Sequence, residues 1–313
     1  MSAVTDAPEQ TGEVVASQPP GGRSHRERSS FGRWFRKLGW RHLVAWLALA
    51  FALFPIVWIV SASFNPSGSL NSQRLVPSQP SLENYRILFT DQDVPFVRWF
   101  WNTVLISGAA ALFNTFLCAL AAYAFSRLRF NGRRTGLLTV LLVQMFPQLL
   151  AVIAIFTIMQ NLGRVFPAVG IGTQLGLVLV YMGGALGINT WLMKGFFDTI
   201  PKSLDESAII DGATHWQIFS RVIVPLSAPI LAVVALLSFI FAINEFVLAS
   251  VLLNDTTEFT LSVGLYRFID GQFGQNWGAF AAGAVLASIP VIVLWQFLQR
   301  FVVSGLTSGA VKG

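Results

Sequence analysis

The chain of 313 residues is 54% hydrophobic and only 12% charged, with a mean hydropathy of +0.62 and a net charge of +6. A soluble domain carries about a quarter charged residues, so an ordinary soluble globular protein is excluded. One cysteine, Cys118, leaves no disulfide framework and no cysteine-based zinc site, and His25, His42 and His215 are too scattered to suggest a metal cluster.

Residues 1–36 are rich in Pro, Gly, Ser and charged side chains and show no apolar period, so they read as a disordered, basic cytoplasmic arm. Six apolar runs follow, at about residues 43–63, 103–125, 137–160, 174–193, 228–253 and 278–303. Each approaches or exceeds the roughly 20 residues that a helix needs to cross about 30 Å of hydrocarbon. Backbone polar groups in lipid must bond internally, and the runs are continuous rather than alternating, so they read as helices and not barrel strands. The predicted fold is an all-α membrane protein of six transmembrane helices, spanning residues 37–303 and followed by a short tail, 304–313. A cleaved signal has an apolar core of about 7–15 residues close to the start, whereas the first run here is longer and lies past residue 40. It reads as a retained anchor.

Lys and Arg in the connecting segments set the orientation. The N-terminal arm, the loop after the second run (Arg127, Arg129, Arg133, Arg134), the loop after the fourth (Lys194, Lys202, Arg221) and the C-terminal end (Arg300, Lys312) fall on one side. Together they hold sixteen of the 21 basic residues; Arg74, Arg86, Arg98, Arg164 and Arg267 fall on the other. Both termini are therefore expected in the cytoplasm. The basic arm serves as a topology signal, and no nucleic-acid partner is expected.

On the outer side, Leu82, Tyr85, Leu88 and Phe89 recur at helical spacing after Pro77 and Pro80. The segment is either a short helix lying on the membrane surface or a plain connector. The loop after the fourth run is more informative. Ser203 and Glu206 have capping-box spacing, so a helix is expected from about Leu204. Asp205 and Glu206 in its first turn suit the dipole, and Gly212 is placed to end it in a left-handed turn. Thr214 and Gln217 offer a second capping box, opening a helix that Pro225 stops or bends. The result is a compact two-helix element on the cytoplasmic side, suited to receive force from a partner.

Glu206-Ser207-Ala208, three residues to Gly212, nine more, then Val222-Ile223-Val224-Pro225 resembles the "EAA" motif of ATP-binding-cassette importer permeases, roughly E-A-A-x3-G-x9-I-x-L-P. Ser207 departs for Ala, Val222 for Ile and Val224 for Leu. The tail Ser304-Gly305-Leu306-Thr307-Ser308-Gly309-Ala310-Val311-Lys312-Gly313 is similar to the end of permease subunits of maltose/maltodextrin importers, with Ala310 where those have Gly. The similarity spans about residues 40–313 and leaves out the N-terminal arm.

The resemblance implies a permease subunit in the bacterial cytoplasmic (inner) membrane. It implies a heterodimer with a companion permease, two ATP-binding-cassette ATPase subunits and an extracytoplasmic solute-binding protein, together importing a sugar such as maltose, maltodextrin or a related oligosaccharide. No G-x-x-x-x-G-K-[ST] string occurs, so this chain is not expected to be an enzyme or to hold a cofactor; ATP and Mg belong to the partner subunits. The helix around Glu206 is then a coupling helix between the fourth and fifth spans. Glu206, Ser207, Ala208, Asp211, Gly212 and Pro225 meet or orient it toward the ATPase. Gly305, Leu306, Thr307, Gly309 and Lys312 form a second contact; ten extended residues reach about 33–36 Å.

The solute path is open to several readings. Glu245, beside Asn244, is the only charge deep in a run, and such a residue is functional or paired. It either lines the cavity or bonds the companion permease. Gln144 and Gln148, one helical turn apart around Pro147, either bond between helices or meet sugar hydroxyls. Gly183, Gly184 and Gly187 point to close helix packing. The alternative class, a secondary carrier or channel for a small polar solute, needs coupling charges in several spans and finds only Glu245.

Overall fold

The structure, a computed structural model, describes residues 39–69, 74–184, 186–271 and 275–310, the stretch 302–310 by backbone alone. The N-terminal arm lies outside the described residues. Regular structure among the described residues is helical throughout. In chain order the helices are α1 (Trp40–Ser63), α2 (Glu83–Thr90), α3 (Phe96–Arg127), α4 (Arg133–Val143), α5 (Gln148–Val165), α6 (Gln174–Gly184) and α7 (Leu186–Thr199). Then follow α8 (Lys202–Ile210), α9 (His215–Leu226), α10 (Ala228–Asn244), α11 (Val247–Leu252), α12 (Leu261–Tyr266) and α13 (Trp277–Ala310).

Four helices are by themselves long and apolar enough to cross a membrane: α1, α3, α5 and the Trp277–Phe301 part of α13. Two bent pairs, α6 with α7 (52°) and α9 with α10 (82°), raise the number to six if each pair is one span. The third run is also interrupted, since α4 ends at Val143 and α5 starts after Pro147. The fifth run stops at Asn244, well short of residue 253. The protein is a multi-pass membrane protein with four to six candidate spans among the described residues.

The chain divides into two units at Phe54/Pro55, inside α1. Described residues of the first, 39–54, are helical; the rest of the architecture belongs to the second. There, α3 is the central pole, packed along α6, α7 and α10, while α13 lies against α10. Its buried face is built from small side chains at three- and four-residue spacing: Ser107, Ala111, Asn114, Cys118, Ala122 and Ser126. Small residues let helix backbones approach closely where lipid gives no hydrophobic drive to associate. One apolar cluster fills the end with α12 (Leu88, Trp99, Leu261, Leu265), one the middle (Leu177, Tyr181, Ala249), and one the end with α8 (Phe197, Ile218, Ile223). Large apolar side chains face outward, among them Leu112, Leu149, Leu150, Ile153 and Val293. A surface of this kind is lipid-facing or partner-facing, never that of a soluble monomer.

The segment around residue 85 does form a helix, α2, yet it is docked into the bundle. Leu88 and Asn84 are buried while Leu82 and Phe89 are exposed, and Asn84 donates to the Ser63 and Asn65 carbonyls at 3.0 and 2.9 Å. A Cβ at Gly278 would stand 2.5 Å from the Asn84 amide, so that glycine admits the helix.

Candidate functional site

Two regions carry the residues singled out by sequence. The first is the knuckle α8–turn–α9 at one end of the bundle. α8 starts at Lys202 directly after Pro201, and no side chain caps it, so the Ser203–Glu206 box does not form. The reason is positional. Pro201 is the N-cap and already has an extended ψ of 130°, which puts Ser203 inside the first turn, where its backbone is helical. The end of α8 follows the expected chemistry. Gly212 has φ +82°, the Ala213 N–H donates to the Ala208 carbonyl at 2.9 Å, and the Gly212 N–H donates to Ile209 at 3.0 Å. That pair of bonds is a Schellman motif, which ties off carbonyls the helix end leaves open. The second box also forms: the Gln217 N–H donates to Thr214 Oγ1 (3.3 Å) and the Thr214 N–H to Gln217 Oε1 (2.8 Å).

α9 then widens into a π-turn over Phe219–Ile223, which turns Phe219 and Ile223 together into the core. Phe219 meets the Tyr123 ring edge-on at 5.3 Å. Pro225 sits at the corner where α9 gives way to α10. Seven of the nine α8 side chains are exposed, Glu206 and Ser207 among them, and Asp211 after the helix is exposed too. Ile209 and Ile210 are 53% and 86% exposed, and Trp216 is 58%. Sequence reading passed over these three, whose only signal is a strongly apolar side chain in a loop. Ala208 turns the other way, inward against the Phe197–Ile223 cluster.

Beneath the knuckle is an ionic cluster that sequence reading also missed. Arg127, the last residue of α3, places Nε 2.6 Å from Asp205 Oδ2, and both side chains are nearly buried. Its Nη2 donates to the Ile200 carbonyl at 2.9 Å and its Nη1 to Ser126 Oγ at 3.4 Å. Asp198 accepts from Ser126 Oγ at 2.7 Å and pairs with Lys194 at 2.5 Å. Burial pushes the Asp205 carboxyl above its ordinary value while the Arg127 guanidinium opposes the shift. The pair is thus poised between desolvation and attraction.

The second region is a cavity of about 1320 Å³ between α4, α5, α6, α7 and α10. Its wall is made where those helices break. Gln144, at the end of α4, donates from Nε2 to the Gly184 carbonyl at 3.0 Å and accepts from the Ile188 N–H at 3.4 Å. It therefore bonds both sides of the α6/α7 break. Asn114 on α3 donates to the Met182 carbonyl at 3.0 Å and accepts from Asn189 and Ser238. Gln148 lies exposed on the cavity wall. Gly187 and Gly184 are packing glycines, since a Cβ would meet the Val140 carbonyl at 2.7 Å and the Phe241 ring at 2.8 Å; Gly183 faces open space on the wall.

Glu245 is not in the middle of a helix. It ends α10 with extended backbone and caps α11, accepting from the Leu248 and Ala249 N–H groups at 2.8 and 3.0 Å. Tyr181 Oη also donates to it at 2.8 Å. A carboxylate at a helix N-terminus with three donors is satisfied within its own chain. Asn244 bonds back to Ile240 in its own helix.

The backbone of Gly305, Leu306, Thr307 and Gly309 continues α13, and Lys312 lies outside the described residues. Helical residues advance about 1.5 Å each instead of the 3.3–3.6 Å of an extended chain, so the helical part reaches less than half as far.

Residues 115–308 match the family described as "Binding-protein-dependent transport system inner membrane component". The maltose/maltodextrin transport system permease protein MalG of Vibrio vulnificus (strain YJ016) is 40% identical over 285 residues, covering 87% of this chain and 95% of the relative. The galactooligosaccharides transport system permease protein GanQ of Bacillus subtilis (strain 168) is 43% identical over 279 residues, covering 87% and 96%. Among solved structures, a bacterial ABC transporter involved in the import of the acidic polysaccharide alginate superposes with a TM-score of 0.70 at 26% identity, covering 86% of this chain and 97% of that one.

Proposed function

Because the chain belongs to the family of binding-protein-dependent transport system inner membrane components, which are non-catalytic ABC permease subunits, we propose that it is the sugar-conducting permease of an importer powered by ATP hydrolysis on partner chains. The substrate class is maltose, maltodextrin or a related oligosaccharide, in keeping with relatives named for maltose/maltodextrin and galactooligosaccharides. The distribution of Lys and Arg supports a cytoplasmic location for both termini and for α8, and a place in the bacterial cytoplasmic membrane. Exposed apolar residues around the cavity, Leu142, Val143, Met145 and Phe146, form one wall of a path that a companion permease completes as a heterodimer. A solute-binding protein delivers the sugar from outside.

The observation that carries this reading is the shape of α8. It is a short helix, closed by a tight turn, whose outer face stands free of the bundle with Ile210 86% exposed. A rigid element of that kind transmits rotation, where a flexible loop absorbs it. In this reading α8 is the coupling helix. Glu206, Ser207 and Asp211 meet one of two ATPase subunits, which bind ATP and Mg. Gly212 fixes the turn, Pro225 the corner, and Ala208 lets α8 sit close. Residues Gly305, Leu306, Thr307, Gly309 and Lys312 provide the tail contact with the ATPase pair.

The test is reconstitution of the full complex in vesicles with the binding protein and a panel of sugars. The expected result is co-purification of the ATPase subunits and uptake that requires ATP and no ion gradient. Solute movement by the purified chain alone, in vesicles free of nucleotide, refutes the reading.

A further inference from the structure

The α8 helix is held to its own chain by very little. Of its nine residues only Asp205 and Ala208, three apart on one face, are turned inward. Ala208 offers a methyl group against an apolar cluster, a contact that permits sliding. Asp205 offers an ion pair, 2.6 Å to Arg127 Nε across 78 residues of sequence, a charge–charge contact without hydrogen-bond geometry. Its other oxygen, Oδ1, is buried without a hydrogen-bond partner among the described residues, so Arg127 is the group that offsets its burial. Separating such a pair strands a buried charge, which is strongly unfavourable.

The guanidinium is itself fixed. One nitrogen holds the Ile200 carbonyl just past the end of α7, another contacts Ser126 at the end of α3, and Nε is left for Asp205. Arginine's planar fork suits this three-way junction and lysine's single ammonium does not. α3, on which Arg127 sits, is the helix against which α6, α7 and α10 pack, and through Asn114 it holds the backbone beside the break that lines the cavity.

We propose that Arg127 is the positioning residue that joins the coupling helix to the central helix α3, with Asp205 as its counterpart, so that displacement of α8 is passed to the bundle through this ion pair. The proposal rests on the importer reading above.

The test uses the whole reconstituted complex. Asp205→Asn keeps the side-chain shape and leaves the Arg127 bonds to Ile200 and Ser126 in place. The expected result is normal co-purification of the ATPase subunits, with uptake per ATP hydrolysed reduced about tenfold or more. Asp205→Glu, which restores the charge, recovers most of it. Arg127→Gln falls as far, and the double variant R127Q/D205N no further than either alone, as two halves of one contact require. If R127Q does not fold, the D205N and D205E arms decide between them. Undiminished uptake per ATP in D205N, or additive losses in the double variant, overturns the proposal. So does a D205N chain that no longer co-purifies with the ATPase subunits, because its role is then folding. A wild-type complex without binding-protein-stimulated hydrolysis overturns the importer reading itself, which separates the two failures.

Discussion

Gly212 offers the sharpest handle on the knuckle. It closes α8 at φ +82°, and a Cβ added there meets no heavy atom within 4 Å. Gly212→Ala therefore introduces no collision; its whole cost is the left-handed backbone, about 1–2 kcal/mol for an L-residue. If the turn relaxes to escape that cost, two hydrogen bonds go with it, Ala213 to Ala208 and Gly212 to Ile209, each worth about 1 kcal/mol net. A penalty of one to two kcal/mol shifts a local equilibrium by a factor of about 5–30. That strain nearly offsets what the two bonds contribute, so relaxed turns become populated beside the native one within the knuckle, while the bundle, which packs elsewhere, keeps its melting temperature. The assay is sugar uptake per ATP hydrolysed by the reconstituted complex, beside thermal unfolding in detergent. G212A is expected to lose a measurable part of the coupling with little change in unfolding, and Gly212→Asn, which tolerates the left-handed region, to recover much of it. Gly132 is a matched control, since it has φ +84° and open space but lies in the turn before α4. If G212A couples normally, or G132A uncouples equally, the reasoning is wrong.

Two other outcomes follow from the broken spans. Gln144→Ala leaves the Gly184 carbonyl and the Ile188 N–H without their side-chain partner, at a cost of about 1–3 kcal/mol for each group that stays dry; an unfolding temperature equal to that of the wild type counts against the stitch. Glu245→Ala removes the cap of α11 and the acceptor of the Tyr181 hydroxyl, and a lost cap costs about 0.5–2 kcal/mol. Glu245→Gln keeps an acceptor oxygen and is expected to lose less, so equal destabilisation by the two variants argues against capping.

The membrane class and the extent of the apolar runs were legible because burial in lipid requires long uncharged stretches, and hydropathy reads that directly. The breaks inside the runs were not legible, because hydropathy is blind to backbone bonds handed over to side chains. The signals were Pro147 after Gln144, the Gly183-Gly184 pair, and Asn244-Glu245, each beginning a stretch where an unwound backbone finds a polar partner. Glu245 was read as a lone charge in a helix because the run looked continuous; in three dimensions it ends one helix and starts another. In the knuckle, Gly212 and the Thr214–Gln217 box were readable because their chemistry is local. Ser203 misled because Pro201 had already taken the capping position. Arg127 was counted only as one of the charges that set orientation, since nothing in a linear string places it against Asp205.

The asymmetry of α8 bears on how such a subunit acquires partners. With only Asp205 and Ala208 committed to the interior, the remaining positions owe nothing to the stability of their own polypeptide. Exposed positions such as Ile210 can therefore be substituted without jeopardising assembly of the spans. Under the proposed coupling role, the surface that meets the ATPase and the framework that holds the helix are separable, so the one can be altered by substitution while the other stays the same.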